Sequence, residues 1–416
     1  MTDRTGQNAI QCLSVGGVRE TSPSTSASVK FNSSYGINDT QPISGQSTLT
    51  NDGIDRPATI AEIGPMGNVG FYNLHAYWGA LETARNVYSF EQPGNLIDTI
   101  MGLCVNAGKR LVITLMTSVN STGSVDFNIN AGRFPAYLRD DYPSAPGRSG
   151  GGLMASAEAP GPGIPGRVDA RLHLPEIRDR YLALHQALST HLNGHAKFEA
   201  ASTYDSTPST IIKIDPTFNQ PDYQDNLKVM MQQLKIIWPN TNVWFALDSG
   251  VGTVTSQVQS LLDVAADNRM VITGPDVALI EFFTGGDGGT IFQRTYQGLN
   301  GGHDYRPEMC WAPKHATGNL GPPRVPPAAS LSPTLLMQNL ALPTYKNALN
   351  ARWMSIPRKT NGVGGTIKDN DQFWLTAAPT FTLNNPTLKA WLNQSFATIG
   401  LSAATPPNYP GVVVGG

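Results

Sequence analysis

Residues 174–204 read LPEIRDRYLALHQALSTHLNGHAKFEAASTY, a stretch that passes directly from one hydrophobic period to another. Its first part carries one apolar stripe at steps of four, three, four and four: Ile177, Tyr181, Leu184, Leu188 and Leu192. That spacing predicts an amphipathic helix over 174–193, and Gly194 is a favoured residue just past a helix end. The run 196–204 that follows is short, apolar and typical of a buried strand. The order of helix, turn and strand indicates an α/β protein with a parallel sheet.

The same order recurs along the chain. Residues 225–238 predict a second helix, which Pro239 ends, and the strand 242–247 follows it. Seven strands are visible in all: 69–77, 110–117, 196–204, 242–247, 269–273, 308–312 and 351–356. Because a closed barrel of this class needs eight strands, we predict an α/β fold, a single (β/α)8 TIM-like barrel, with one strand still to be identified.

Amino-acid composition and hydrophobic pattern divide the chain into three parts. Residues 1–58 are rich in Ser, Thr, Asn and Gly and lack a helical period, so we predict a polar N-terminal arm there. The barrel is assigned to residues 59–400, and residues 401–416 form a C-terminal tail. Two segments dense in Pro and Gly, 144–167 and 318–333, each follow a strand and precede a helix, which predicts long irregular loops on the catalytic face.

Composition excludes several classes of function. The 29 Lys and Arg residues are balanced by 31 Asp and Glu residues without a basic stripe, so nucleic acid is not an expected partner. The three cysteines stand alone, which argues against a disulfide framework and a zinc site. No apolar run approaches the roughly 18 residues of a membrane span, and the N-terminus shows no Sec signal, so we expect a soluble, cytoplasmic or virion-associated protein without a membrane partner. Because H-E-x-x-H and Walker A motifs are absent from the sequence, we expect no metal and no cofactor.

One segment carries a family resemblance. Residues 77–90 read YWGALETARNVYSF, followed by Ile97-Asp98 and by GKRLVI at 108–113. The segment resembles the W-x-x-L-E-x-x-x-G-x-Y-D-F pattern of TIM-barrel glycoside hydrolases of the retaining clan, with Asn86 in place of the usual Gly and Ser89 in place of the usual Asp. An aromatic residue at the carboxyl end of a strand offers a flat apolar face to a sugar ring.

Further stretches extend the resemblance over about residues 60–360. They are similar to motifs of hydrolase-like barrels from bacteria and phages, in the same order along the chain: FPAYL at 134–138, GHAKFEAASTYD at 194–205, VITGPDV at 271–277 and LNARW at 349–353.

The resemblance implies a general acid/base carboxylate at the end of the fourth strand, where this sequence has Asp205. Alternation of side chains would put Glu199 on the same face, deeper in the barrel, where a structural role is the alternative to a catalytic one. A second carboxylate normally comes from the seventh strand. The acid of that strand is Glu308, which falls at its start, and Glu281 follows the sixth strand. The catalytic candidates are therefore Asp205, Glu281, Glu308 and Glu199.

Other residues are candidates for substrate binding. Indole rings near strand ends predict sugar platforms at Trp78, Trp311 and Trp353. Two acids that end strands, Asp248 and Asp276, either contact sugar hydroxyls or cap the next helix. Two further candidates are Glu82, within the W-x-x-L-E pattern, and His75, for which a place in the core is the alternative reading.

The leading function is therefore that of a glycoside-hydrolase-like protein that hydrolyses or binds a polysaccharide in the opening of its barrel, with carbohydrate as partner. The alternative is a non-catalytic structural or glycan-binding protein, such as a virion component, on a degenerate hydrolase barrel. Two features favour the alternative: residue 205 is Asp, which is one methylene shorter than the usual Glu, and the seventh strand has no acid at its carboxyl end. Assembly as a homo-oligomer or within a virion stays open at this point.

Overall fold

Eight parallel strands pair in a closed ring. We label them β1 to β8 in chain order: Ser34–Asp39, Val69–Tyr77, Arg110–Met116, Phe198–Thr203, Asn242–Ala246, Val271–Val277, Glu308–Pro313 and Ala351–Arg358. Each strand pairs with its neighbours in the chain, and β8 pairs with β1. The seven strands expected from the sequence are thus confirmed, with ends that differ by a few residues.

The computed structural model describes the following residues: 29–31, 34–39, 42–50, 55–67, 69–119, 123–144, 149–155, 167–203, 215–246, 255–268, 270–277, 308–313, 351–358 and 412–414. For β7, β8, the end of β6 and most of β1 the description concerns the backbone.

Within the described residues, five main helices each follow the strand of the same number. They are α1 to α5: Arg56–Ile63, Leu96–Asn106, Pro175–Leu192, Gln220–Ile237 and Thr255–Asp267. Their starts have local causes, since Asp55, Asn95 and Asn219 accept a backbone N–H as N-caps, and Pro175 opens α3 at a position where no N–H is needed. The two helices expected from their apolar stripes are α3 and α4, and both are confirmed.

Short helices and strands follow β2 and β3 at the carboxyl end of the barrel. After β2 come the helical turn Trp78–Leu81 and a hairpin of Glu82–Ala84 with Val87–Tyr88, and after β3 come the short helices Val125–Asn130 and Tyr137–Asp140. A small antiparallel sheet contains Ser118–Val119, Leu153–Ala155 and Val168–Ala170. The strand Leu153–Ala155 corrects the expectation that residues 144–167 lack regular structure.

The core has two parts. A large cluster fills the space between the helices and the outer face of the strands, with Leu74, Ile113 and Leu188 among its members. A smaller cluster fills the centre of the barrel with one side chain from each of five strands: Phe71, Val112, Ala200, Trp244 and Val271. The rings of Phe71 and Trp244 meet edge to face with centroids 5.4 Å apart. Because side chains alternate along a strand, these five residues identify which positions point inward.

The missing eighth strand is β1, within the segment assigned to an N-terminal arm. Residues 1–58 are therefore not an arm throughout, because Ser34–Asp39 pairs with both β2 and β8 and so closes the barrel. Gly36 shows why the position is constrained, since a Cβ there would overlap the ring of Phe71. Similarly, part of the expected tail, Val412–Val414, pairs in parallel with Val29–Phe31.

The face assignment in β4 is corrected by a bulge. Phe198 pairs with Leu111 and Ala200 with Val112, so Glu199 is an extra residue in β4. Ala200 belongs to the centre of the barrel, whereas Ala201 belongs to the outer cluster. The alternation that was expected to run from Glu199 to Asp205 is therefore broken within β4, because an extra residue interrupts it.

Candidate functional site

The candidate site lies at the carboxyl ends of the strands, which we call the mouth. In barrels of this class the loops that follow the strands build the site there. Residues after β1 reinforce this end, since the Ile43 N–H donates to the His75 carbonyl at 2.9 Å and the Tyr77 N–H donates to the Ile43 carbonyl at 2.9 Å. Since β3 pairs with the other edge of β2 as far as Tyr77, the end of β2 is held on both edges.

Neutral polar groups line the described interior of the mouth. Asn73 and His75 share the inward positions of β2 with Phe71, and Thr114 follows Val112 on β3. The Thr114 hydroxyl donates to Oδ1 of Asn73 at 2.9 Å. Burial lowers the pKa of His75 to about 4, so its imidazole is neutral at pH 7 and carries one donor and one acceptor. These are groups that can hydrogen-bond hydroxyls without bringing a charge.

Two aromatic rings and an arginine continue this line outward. Tyr77, the last residue of β2, is half-buried, and Cζ of Arg133 lies 5.8 Å from the centre of its ring. The same Cζ lies 5.6 Å from the centre of the Phe127 ring, which is 54% exposed. We call Tyr77, Arg133 and Phe127 the rim. Nothing in the sequence pattern singled out Arg133 or Phe127, because the chain brings them to β2 from the loop after β3.

Trp78 does not line the mouth. It is the first residue of the helical turn Trp78–Leu81, directly after β2. Its indole is fully buried, and the centre of the ring lies 5.4 Å from that of Tyr181 on α3. Its Nε1 donates to Oε2 of Glu82 at 2.8 Å. The expectation that Trp78 is a sugar platform was therefore wrong, since no face of the ring is open to solvent.

Glu82 is likewise a buried structural group and not a contact for substrate. Its carboxylate accepts from the Tyr137 hydroxyl at 2.7 Å and from the Asn86 N–H at 2.9 Å, and it forms an ion pair with Arg180. Burial and the charge of Glu82 raise the pKa of Tyr137, which keeps this hydroxyl protonated as a donor. Asn86 adopts φ 60°, the left-handed conformation that the Gly of the resembling pattern would take without strain.

Two of the four catalytic candidates lie at the opposite end of the barrel. Glu199 is buried, and its Oε2 lies 2.6 Å from Nε of Arg110, the first residue of β3. It precedes the end of β4 by four residues, about 13 Å. Glu308 is the first residue of β7 and pairs with Val271, the first residue of β6. The expectation of catalysis at the mouth is therefore wrong for both residues.

The remaining candidates are placed only in part. Asp205, Asp248 and Glu281 lie outside the described residues. Asp276 is the penultimate residue of β6, near the mouth. Two further backbone positions lie inside strands, with Trp311 two residues before the end of β7 and Trp353 five residues before the end of β8.

Acids that the sequence did not single out are buried near the mouth. Asp169 receives a hydrogen bond from Nε of Arg167 at 2.7 Å, and Oδ2 of Asp215 lies 2.6 Å from Nε of Arg171 and 3.1 Å from Nε2 of His173. Burial opposes the ionisation of Asp215, but hydrogen bonds from His173, Arg171 and Thr217 outweigh it and hold its pKa well below the usual value. Together with Glu82, the carboxylates that the described residues bury on this side are all paired with arginine.

The described residues contain neither a cluster of metal-ligand side chains nor a helix that could cross a membrane. No group of three or more His, Cys, Asp or Glu side chains in that part of the chain has the arrangement of a metal site. None of its helices has the length and apolar character to cross a membrane.

Comparison with known proteins identifies a fold. No protein-family profile and no curated protein sequence matches the chain. Among solved structures, the catalytic domain of a β-amylase from Paenibacillus polymyxa superposes with a TM-score of 0.50 at 10% identity, over 79% of this chain and 93% of that one. An endo-glycoceramidase II from Rhodococcus sp. gives a TM-score of 0.49 at 13% identity, over 83% and 77% of the two chains. At 10% identity the likeness to the β-amylase domain, which is a glycoside hydrolase, shows the fold alone, and this chain therefore shares its (β/α)8 barrel fold.

Proposed function

We propose that this protein binds a polysaccharide in the mouth of its barrel and hydrolyses it with Asp205 as the general acid. The observation that carries the proposal is the group of neutral polar side chains, Asn73, His75 and Thr114, at the carboxyl end of a glycoside-hydrolase-like barrel. Sugars present many hydroxyls, each of which is a donor and an acceptor. A neutral imidazole beside an amide and a hydroxyl matches that chemistry.

The position of Asp205 along the chain supports its role as acid. It follows Thr203, the last residue of β4, by two residues, so it belongs to the segment that leaves the strand at the mouth. Glu281 follows β6 by four residues and is the partner that we assign to it. A separation of roughly 5 to 5.5 Å between the two carboxyl groups would give retention of configuration, and roughly 6.5 to 9.5 Å would give inversion. Asp248 and Asp276, with Trp311 and Trp353, stay the proposed contacts to sugar units.

A second candidate is a binding or structural protein that has lost the chemistry, such as a component of a virion. It is favoured by the places of Glu199 and Glu308 at the amino end of the barrel. It is favoured also by the ion pairs of Glu82, Asp169 and Asp215, because an arginine stabilises the ionised form and so works against a general acid.

The test combines binding and turnover on one panel of oligosaccharides and polysaccharides. For a hydrolase, Asp205→Asn should lower kcat by the roughly 10² to 10⁴ that a general acid contributes, with glycan affinity retained. His75→Leu, which removes both ring nitrogens at similar volume, should weaken binding by about tenfold. Asp225→Asn, at an exposed acid on α4, is the control and should change neither.

The outcomes separate the two candidates. Binding without turnover in the wild type would reject hydrolysis and leave the non-catalytic candidate. Turnover that Asp205→Asn does not reduce would reject the assignment of the acid. If the wild type binds no glycan of the panel, both the hydrolase and the glycan-binding protein are rejected.

A further inference from the structure

The rim contains an arginine whose charge has no carboxylate partner among the described residues. Seven other arginines in the described part of the chain have a carboxylate partner: Arg85, Arg110, Arg139, Arg167, Arg171, Arg178 and Arg180. Arg133 forms no ion pair with the described residues, and its Nη1 donates to Oδ1 of Asn128 at 2.7 Å. A guanidinium has five N–H donors, so within the described part of the chain Arg133 has further donors to offer a ligand.

Two aromatic rings lie close to the guanidinium of Arg133. Its Cζ lies 5.8 Å from the ring centre of Tyr77 and 5.6 Å from that of Phe127, within the range of cation–π attraction. The planar fork of a guanidinium matches the two oxygens of a carboxylate. The nearest acid in sequence to this pair is Asp126, which is already paired with Arg139.

Phe127 is the most exposed aromatic ring on the described surface, at 54%. A single exposed apolar side chain is common and by itself implies nothing. This one packs closely against Gly123, where a Cβ would overlap the ring, and the Phe127 N–H donates to Oγ of Ser124 at 3.1 Å. An aromatic ring that is supported on one side and open on the other is suited to stacking against the apolar face of a sugar.

The backbone that carries Arg133 is clamped from two sides. The Gly79 N–H donates to the Arg133 carbonyl at 2.9 Å, and the Gly45 N–H donates to the Gly132 carbonyl at 2.8 Å. Gly132 has φ +68°, and a Cβ on it would lie 2.7 Å from the backbone nitrogen of Gly45. The segments after β1 and β2 and the loop after β3 therefore meet in direct backbone contact. Such a site is ordered before a ligand arrives, which reduces the entropy lost on binding.

The rim is continuous with the mouth. Tyr77 ends β2, and His75 lies two residues earlier on the same inward face of the strand. A glycan that contacts His75 with one sugar unit could place a further unit against the rim.

We infer that Phe127, Arg133 and Tyr77 form a rim subsite for an acidic sugar unit, a uronate, in which the Phe127 ring stacks on the sugar and Arg133 binds its carboxylate. The inference rests on the proposed function, because it names the class of glycan that the same mouth takes. It predicts a preference for anionic over neutral polysaccharides.

Isothermal titration calorimetry on the full chain tests this with three oligouronates, of galacturonate, mannuronate and glucuronate, and with a neutral cello-oligosaccharide of equal length. The wild type should bind at least one oligouronate at least tenfold more tightly than the neutral probe, and this margin should shrink as salt is added. Arg133→Gln should remove the margin and leave the neutral affinity unchanged. Arg133→Lys should restore only part of it, because an ammonium lacks the planar fork. Phe127→Ala should lower the affinity for both the oligouronate and the neutral probe.

Two variants control for charge and for exposed apolar area. Lys228→Gln removes a positive charge from α4, and Ile236→Ala trims a side chain that is 69% exposed; neither should change any affinity. Equal binding of neutral and anionic probes by the wild type would overturn the inference, as would an equal loss for both probes in Arg133→Gln. If neutral glycans bind in a His75-dependent manner without a rim effect, the inference fails and the proposed function stands. If no glycan binds, the proposed function fails with it.

Discussion

Replacement of Glu82 by Gln should destabilise the fold strongly, although the change is nearly isosteric. Four donors converge on the carboxylate: the Trp78 indole and the Tyr137 hydroxyl on Oε2, and the Asn86 N–H and Arg180 on Oε1. In the amide, one of these two oxygens becomes an NH2 group that donates, so two donors lose their acceptor in either orientation.

The magnitude follows from the burial of the group. Glu82 is fully buried and the Arg180 side chain is 15% exposed, so removal of the negative charge leaves a largely desolvated guanidinium without a counterion. Loss of one partner of a buried ion pair typically costs about 3–5 kcal/mol. Unfolding in urea, followed by tryptophan fluorescence, should therefore shift to a midpoint lower by about 1 M or more.

The matched control is Glu91→Gln, at an exposed glutamate on the 3-10 turn Ser89–Glu91, which should stay within about 0.5 kcal/mol of the wild type. A Glu82→Gln midpoint no lower than that of the control would refute the reasoning, because it would mean that the carboxylate does not hold the four donors together. A loss of glycan affinity at unchanged stability would instead favour the substrate-binding role that the sequence suggested.

Three further predictions concern Gly36, His75 and Trp78. Gly36→Ala should cost about 1–3 kcal/mol in thermal or urea unfolding, because the methyl group overlaps Phe71 in the filled centre of the barrel; no loss would show that the ring can move aside. Burial lowers the pKa of His75 to about 4 in the folded protein, against about 6.5 in the unfolded chain. Between pH 4 and 6.5 the unfolded chain therefore binds more protons than the folded protein. The contribution of His75 to the free energy of unfolding is fully present above pH 6.5 and should fall by about 3 kcal/mol as the pH drops to 4. His75→Gln should flatten part of this slope and leave the part that comes from His185, whose pKa burial lowers to about 3; an unchanged slope would contradict the burial of His75. Trp78→Phe should lower stability through the lost bond to Glu82 and leave glycan affinity unchanged; weaker binding in a normally stable variant would restore Trp78 as a contact.

The sequence by itself determined the class of fold and most of its elements. Long apolar stripes at helical spacing and short buried runs report local periodicity, and both are legible without knowledge of neighbours. The helices α3 and α4 and seven of the eight strands were accordingly placed within a few residues of their ends.

Only the tertiary structure decided the rest. Ser34–Asp39 reads SYGIND and has little apolar content, and it is a strand because β2 and β8 supply its pairing partners. The extra residue Glu199 shifts the face of β4, which no alternation pattern in a single strand reveals.

The same physical reason explains the site. Trp78 looks like a sugar platform when it is read as the residue after a strand, but a helical turn folds its ring against Tyr181, about a hundred residues away in the chain. Arg133 and Phe127 look ordinary in sequence, and they become the rim because glycine contacts between three loops bring them to the end of β2. Periodicity along the chain fixes which segments are helices and strands, whereas which side chains meet depends on contacts between residues distant in sequence, and these form only when the barrel closes.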